Sequence, residues 1–446
     1  MEQNERYKII NGDSLEILDT LDDNSIDAII TDPPYELGFM GKKWDKTGIA
    51  YNVELWKKAY RVLKSGGHLL AFGGSRTFHR IACAIEDAGF EIRDTIMWLY
   101  GSGFPKSLNI GLAIDKKNGV DNRTGTIKSD GKATQGDIYN WRECEDTRQY
   151  EERKATNEWS GWGTALKPAY EPIIVARKPV EKSVVDNVLK YGTGGINIDE
   201  CRVPTEQGEL TPRNNKKGQN GIFNASGGLV VPSELGRFPA NVILTYDDTD
   251  FEEVCGNMPY SKSTDNIRHN NNDNKEYNCY SNYGNCDTSG YDDSGNACRY
   301  FYCAKASTKD RDNGLDLLET TQISDGSIRS NSDTARKIGA NPVKKKNIHP
   351  TVKPCELMQY LVRLITQRGG VVLDIFNGSG STGKAVAFEN RERNMDYKYI
   401  GIELDAEYCM ISEMRIDYAI NKYEYDMIQD IKREEQETGQ LSLFDF

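Results

Sequence analysis

Apolar residues gather toward the two ends of the chain in short runs and helical spacings, and thin out in the middle. Tyr7 to Ile10 reads as a strand running into Asn11-Gly12-Asp13, and a short amphipathic helix follows with Leu15, Leu18 and Leu21 on one face. Asp27 to Thr31 is a continuous apolar run between polar flanks, the pattern of a strand buried on both faces of a parallel sheet. It stops at Asp32-Pro33-Pro34-Tyr35. A helix around Val53 to Leu63, a turn at Ser65-Gly66-Gly67 and a strand from His68 to Phe72 come next. A helix from about Arg76 to Ala88 closes at Gly89, Phe90 to Tyr100 is another strand, and Pro172 to Ala176 is a shorter one. The alternation predicts βαβ architecture.

Toward the other end, Cys355 to Gln367 reads as a helix with Leu357, Leu361, Leu364 and Ile365 on its apolar side. Gly369-Gly370 leads into a strand from Val371 to Ile375, then a glycine-rich turn and a new helix. Tyr399 to Glu403 is the next buried strand, and Ala406 to about Tyr423 continues as a helix. No internal repeat is visible. Residues 181 to 345 show little periodicity, and Asp265 to Asn296 is dominated by Asn, Asp, Ser, Gly and Tyr, which predicts an inserted or recognition domain.

Composition sharpens this outline. A chain of 446 residues exceeds what one compact core usually organises, so a catalytic domain with a large insertion is expected. The hydrophobic share of 37% is low, and the polar middle accounts for much of the deficit. A net charge of -12 argues against non-specific coating of nucleic acid, which needs clustered cations, but leaves local binding open. Lys344 to Lys346, Lys116 with Lys117, and Arg213 with Lys216 and Lys217 are such clusters, and each reads equally well as solvated loop charge. Ten irregularly spaced cysteines and a polar start without a secretory signal fit a reducing cytoplasm. No apolar run approaches the roughly 20 residues that span a bilayer, so no membrane role is expected.

Two motifs carry chemistry. Asp374-Ile-Phe376-Asn-Gly378-Ser-Gly380-Ser-Thr-Gly383 follows a buried strand and opens a helix, and its glycines let backbone approach a ligand closely. Glu403, at the end of the next strand, is placed to accept hydrogen bonds from ribose hydroxyls. The pair favours an adenosine-bearing ligand without separating a dinucleotide from S-adenosylmethionine. Asp32-Pro33-Pro34-Tyr35 is the second motif: two prolines remove two backbone donors and stiffen the turn. The Asp32 carboxylate and the Pro33 carbonyl can both accept hydrogen bonds from an NH2 group, aiming the nitrogen lone pair at a sulfonium methyl. Tyr35 can stack on a base swung out of a duplex.

These residues resemble the DNA amino-methyltransferases, and their order resembles the beta class, in which the DPPY-type motif precedes the cofactor loop. The resemblance covers roughly residues 5 to 105, 162 to 180 and 345 to 420, and includes Gly12-Asp13-Ser14, Leu63-Lys64-Ser65-Gly66-Gly67, Glu171-Pro172-Ile173-Ile174-Val175 and His349-Pro350-Thr351-Val352-Lys353-Pro354. It implies a Rossmann-like α/β fold: a mostly parallel seven-stranded sheet with an antiparallel final strand, circularly permuted, with an inserted target-recognition domain. The implied layout is a catalytic half over 1–105, an insertion over 106–160 as a candidate for DNA contact, a core strand over 161–180, a recognition region over 181–345, a cofactor-binding half over 346–420 and an acidic tail over 421–446. The implied cofactor is S-adenosylmethionine. Asp374, Phe376, Gly378 and Gly380 would line its methionine side, Glu403 would hold the ribose, Asp13 would contact the adenine, and Thr351 and Lys353 would stand near its carboxylate end.

The implied reaction methylates an exocyclic amino nitrogen in double-stranded DNA. Asp32 favours adenine N6, with cytosine N4 as the alternative, and neither a metal nor a covalent nucleophile is required. Cys355, in a Pro-Cys dipeptide that opens a helix, is read as structural. Cys255, Cys279, Cys286, Cys298 and Cys303 with His269 invite a zinc reading, but no C-x2-C pair occurs and unligated thiols are the default. Trp141, Trp159 and Trp162 are candidates for base contact or for packing. A second copy of the chain is a candidate partner.

The chain ends in Gln440-Leu441-Ser442-Leu443-Phe444-Asp445-Phe446 after an acidic stretch. QLSLF resembles the pentapeptide by which bacterial replication proteins bind the sliding clamp; packing of these residues on the protein's own core is the alternative. If the tail docks, a pull-down with clamp loses capture when residues 440–446 are removed, and unchanged capture refutes it.

Overall fold

The apolar runs pair into one mixed sheet in a computed structural model of the chain, which describes residues 6–37, 43–100, 107–120, 155–205, 213–214, 229–230, 235–246, 255–256, 258–262, 294–304, 310–315, 318, 321–323 and 343–422. In chain order its strands are β1 (Tyr7–Asn11), β2 (Ile26–Thr31), β3 (Leu63–Phe72), β4 (Glu91–Tyr100), β5 (Tyr170–Arg177), β6 (Val242–Thr245), β7 (Tyr302–Cys303), β8 (Val371–Asp374) and β9 (Lys398–Glu403). Their spatial order is β1-β9-β8-β2-β3-β5-β4-β6-β7. All neighbours are parallel except β5, which is antiparallel to β3 and β4. The two ends of the chain therefore interleave: Tyr7 registers with Tyr399, and Val372 with Ala28.

Seven strands are expected from the sequence; the sheet has nine. The additional β6 and β7 come from the stretch read as aperiodic. Only Ile243 and Leu244 of β6 are fully buried apolar residues, and β7 is two residues long, so neither presents a period that a sequence window detects. The turn expected at Ser65-Gly66-Gly67 is a bulge inside β3. Ile26 pairs with Leu63 and Ala28 with His68, so one residue of β2 faces four of β3.

Helices cover both faces. In chain order the α-helices among the described residues are α1 (Ser14–Asp19), α2 (Val53–Val62), α3 (Phe78–Asp87), α4 (Ile110–Lys117), α5 (Val184–Tyr191), α6 (Cys355–Ile365), α7 (Ser381–Arg393) and α8 (Ala406–Ile420), of which α4 belongs to the inserted segment and not to the sheet's unit. One core packs α1, α2 and α3 on the sheet through residues such as Leu69 and Ala71. The other packs α6, α7 and α8 through Leu70 and Phe72. Burial of alternate residues on opposite faces explains why the strands read as unbroken apolar runs. On α2, Leu55, Trp56, Ala59 and Val62 share the buried face, and the Asn52 side chain accepts from the Glu54 N–H at its start.

The chain divides into two compact units, one of them the segment Ser102–Ala169 inserted between β4 and β5. The 106–160 read from sequence as an insertion falls within this segment, and β5 begins at Tyr170. Within it, buried Asp115 on α4 accepts from the Thr156 N–H at 2.8 Å and from Asn157 Nδ2 at 2.7 Å. Trp159 and Trp162, one of whose expected roles is packing, meet edge to face at 5.2 Å with both rings exposed. Trp141, Cys279, Cys286, His269, Lys216, Lys217 and the QLSLF peptide lie outside the described residues. Among the described residues, no helix is long and apolar enough to cross a membrane, and no group of three or more metal-ligating side chains is arranged to hold an ion.

α6 departs from the amphipathic helix expected: beyond Leu357, Leu361, Leu364 and Ile365 it also buries Met358, Tyr360, Val362 and Arg363. Burying an arginine is tolerable because Glu389 of α7, fully buried, accepts from its guanidinium twice, at 2.6 and 3.1 Å. Glu389→Ala strands that charge, so urea titration is expected to show a loss of about 3–5 kcal/mol in unfolding free energy. An unchanged midpoint would contradict the pairing.

Candidate active site

The carboxyl edge of the parallel strands collects the chemistry-bearing residues. Asp32 follows β2, Asp374 ends β8, Glu403 ends β9 and Phe72 ends β3, while antiparallel β5 starts at this edge with Tyr170 and Glu171. Open α/β sheets bind ligands at this edge. Because β2 lies beside β8, the Asp-Pro-Pro-Tyr turn emerges next to the glycine loop. The Thr31 hydroxyl donates to Asp374 Oδ1 at 2.8 Å and ties the two together one residue before Asp32.

In the turn, Pro33 is buried and Asp32, Pro34 and Tyr35 are half-buried. Lys353 Nζ donates to Asp32 Oδ2 at 2.5 Å and lies 3.6 Å from Glu171 Oε2. The Tyr35 hydroxyl donates to Glu171 Oε2 at 2.7 Å, and the Tyr100 hydroxyl reaches Glu171 Oε1 at 3.4 Å. The Lys353 ammonium also stands 5.0 Å from the Phe72 ring centre and 5.5 Å from that of Tyr35. Asp32 Oδ1, by contrast, is buried without a hydrogen-bond partner. Burial pushes the Asp32 carboxyl above its ordinary range, and Lys353 pulls it back down against the added repulsion of Glu171. Burial also works against the Lys353 charge, but Asp32 and Glu171 outweigh it and hold the ammonium.

The glycine loop is braced from beneath. Asp374 is buried; its Oδ1 accepts from the Thr31 hydroxyl and the Phe376 N–H, and its Oδ2 accepts from the Thr382 hydroxyl at 2.6 Å. Burial raises its pKa to about 6 despite these bonds. Gly380 has φ +75°, and a Cβ there would stand 2.3 Å from Ser412 Oγ, so glycine is required. Glu403 Oε2 accepts from the Gly378 N–H at 2.6 Å and its Oε1 from the Asp405 N–H at 2.9 Å. Asp13 is exposed, and its Oδ1 caps α1 by accepting from the Leu15 N–H. Its neighbour Ser14 donates to the Ile375 carbonyl at 2.6 Å, which holds Asp13 beside the loop.

A family model described as DNA methylase (N6_N4_Mtase) matches residues 26–414. This chain belongs to that DNA methylase family. The type II methyltransferase M.HindIII of Haemophilus influenzae is 26% identical over 233 residues, covering 42% of this chain and 64% of the relative. The DNA adenine methyltransferase YhdJ of Escherichia coli is 34% identical over 94 residues, 21% of this chain and 29% of the relative. The chain thus spans less than two thirds of either relative's length. Among solved structures, the cytosine-N4-specific PvuII DNA methyltransferase is 14% identical with a TM-score of 0.41, covering 93% of each chain.

The structure brings Asp32, Tyr35, Lys353, Asp374, Phe376, Gly378, Gly380 and Glu403 to one sheet edge. Lys353 donates to Asp32, and the Asp374 carboxylate accepts hydrogen bonds from Thr31 of β2, Phe376 of the loop and Thr382 of α7. Thr351 is exposed, and its N–H donates to His349 Nδ1 at 3.4 Å. Sequence reasoning missed Glu171 as a site residue and passed over Asn377. The Asn377 side chain accepts from the Tyr399 hydroxyl at 2.7 Å and donates to Ser412 Oγ at 2.9 Å. The available signal was Gly401, a glycine inside a strand, where a Cβ would stand 2.6 Å from Asn377 Oδ1.

The raised Asp374 carboxyl has a consequence for stability. A buried carboxyl with a folded pKa near 6 favours the folded state most at low pH, and that contribution falls away as pH rises from the unfolded value of about 4 through 6. Asp374→Asn keeps the shape and removes the titration. The stability difference between variant and wild type is expected to move by roughly 2–3 kcal/mol across that window. A pH-independent difference would contradict the burial.

Proposed function

We propose that this DNA methylase transfers a methyl group from S-adenosylmethionine to adenine N6 in double-stranded DNA. The observation that carries the reading is the buried, unpartnered Asp32 Oδ1 in a turn hydrogen-bonded through Thr31 to the glycine loop. A buried acceptor without a partner is costly, so such an atom is best explained by a donor that arrives with the substrate. An exocyclic amine brings two N–H groups, which Asp32 Oδ1 and the Pro33 carbonyl would accept. The nitrogen lone pair is then free to face the cofactor side.

The residues present fit the cofactor. The Glu403 oxygens accept backbone amides and keep acceptor capacity for ribose hydroxyls. Gly378 and Gly380 hold backbone in the left-handed region that opens the loop, Phe376 and Asp13 flank it, and Thr351 stands on the His349–Lys353 segment. S-adenosylmethionine, when bound, supplies an activated methyl group on sulfur. The base nitrogen would bond to that carbon as the carbon–sulfur bond breaks with its electrons on sulfur, and one amine proton would leave. Asp32 Oδ1 is placed to receive it, and burial, which raises the carboxyl's proton affinity, favours that step. Tyr35, anchored through its hydroxyl to Glu171, offers a ring face for an extruded base.

Adenine is preferred to cytosine because Asp, rather than Ser, stands at position 32. Incubation with labelled S-adenosylmethionine and double-stranded DNA, followed by digestion to nucleosides, tests the reading. The expected product is N6-methyldeoxyadenosine, with Asp32→Ala reducing turnover by about a thousandfold or more while donor binding stays within about twofold. N4-methyldeoxycytidine would reassign the base, and absence of transfer by the wild type would defeat the reading.

A further inference from the structure

The Lys353 contacts leave a question that substrate and cofactor do not answer: why a buried ammonium is placed on the carboxylate expected to hold the amine. We propose that Lys353 and Glu171 are positioning residues for methyl transfer, Lys353 occupying Asp32 Oδ2 and Glu171 anchoring both Lys353 and Tyr35, so that Asp32 presents only Oδ1 to the amino group. This rests on the methyltransferase reading and deepens it.

The geometry supports each part. Lys353 is 7% exposed and lies 2.5 Å from Asp32 Oδ2 and 3.6 Å from Glu171 Oε2, with the Phe72 and Tyr35 rings beside it. An ammonium so engaged has little reach left for a cofactor carboxylate. A free carboxylate can rotate and offer either oxygen, whereas one fixed through Oδ2 has a single orientation, which is what alignment of a lone pair requires. Glu171 completes the arrangement by taking the Tyr35 hydroxyl at 2.7 Å, so the aromatic face and the acceptor are held by one residue at the start of β5.

The charged and titratable groups facing Asp32 are Lys353 from the segment before α6, Glu171 from β5, Tyr35 from its own turn and Asp374 from β8. Lys353 opposes protonation of Asp32, while Glu171 promotes it. Removing one or the other therefore shifts the acid limb of the pH–rate profile in opposite directions. Loss of packing alone has no reason to do this.

The test uses the full chain, with S-adenosylmethionine and double-stranded DNA as probes. Donor affinity is measured by calorimetry, and single-turnover rates are followed between about pH 5 and 9. Lys353→Met is expected to bind the donor within about twofold of wild type, to slow transfer by about 10- to 1,000-fold at neutral pH and to move the acid limb up by about 1–3 units. Lys353→Arg recovers part of the rate. Glu171→Gln moves the limb downward, with a smaller loss of rate. If Lys353→Met does not fold, as failed donor binding and altered circular dichroism would show, the arginine and glutamine variants decide. Donor affinity weakened about tenfold or more in Lys353→Met with an unchanged limb would return Lys353 to the cofactor and overturn the proposal, as would shifts of the same sign in the Lys353 and Glu171 variants. Absence of transfer by wild type would instead remove the reading beneath it.

Discussion

The pairing of β2 with β8 is the constraint on which the site depends. Thr31 and Asp374 are 343 positions apart, yet their hydrogen bond lies at the point where both strands release their loops. One loop carries the Asp-Pro-Pro-Tyr turn and the other the glycines, so the acceptor for an amine and the cradle for a ligand are adjacent by strand register, before any side chain is oriented. Parallel neighbours on both sides make the arrangement rigid, since a register slip would turn the buried residues Ala28, Ile29 and Ile30 to the wrong faces.

Around that seam the charges are arranged as partners. Asp374 is buried against hydroxyls and an amide, Arg363 against Glu389, and Lys384 against Asp310 with its Nζ 2.6 Å from Oδ1, while Arg415 donates to the Asp310 backbone carbonyl. Arg415 also donates to the Ser379 carbonyl at 2.6 Å, so the glycine loop is held from α8 as well as from β2. Asp32 differs: one oxygen is engaged by Lys353 and the other is left without a partner. That oxygen lies on the turn tied through Thr31 to the glycine loop, and it marks the place where chemistry is expected.

Much of this was legible in the sequence because it is local. An apolar run ending in Asp32-Pro33-Pro34-Tyr35, or in Asp374 with glycines behind it, announces strand and loop together, and the observed β2, β8 and β9 fall within a residue of the runs read. What was not legible depends on partners distant along the chain. The contact of Lys353 with Asp32 joins residues 321 positions apart, so no sequence window contains it. Glu171 stood just ahead of the strand read from Pro172, and only the sheet shows that an antiparallel strand begins where its parallel neighbours end. β6 and β7 are too short to show a period and form by adding to the β4 edge. Asn377 drew no reading of its own because its role, spanning Tyr399 and Ser412, is visible only once β9 and α8 are packed.

A crystal structure of the protein with bound S-adenosylmethionine measures the seam directly. If β2 and β8 bring amine acceptor and methyl donor together, the donor's methyl will face Asp32 Oδ1 across a gap that admits one amino nitrogen about 3–3.5 Å from the carbon. A donor bound elsewhere, or with its methyl turned away from Asp32, would contradict the claim that the two ends of the chain form one site.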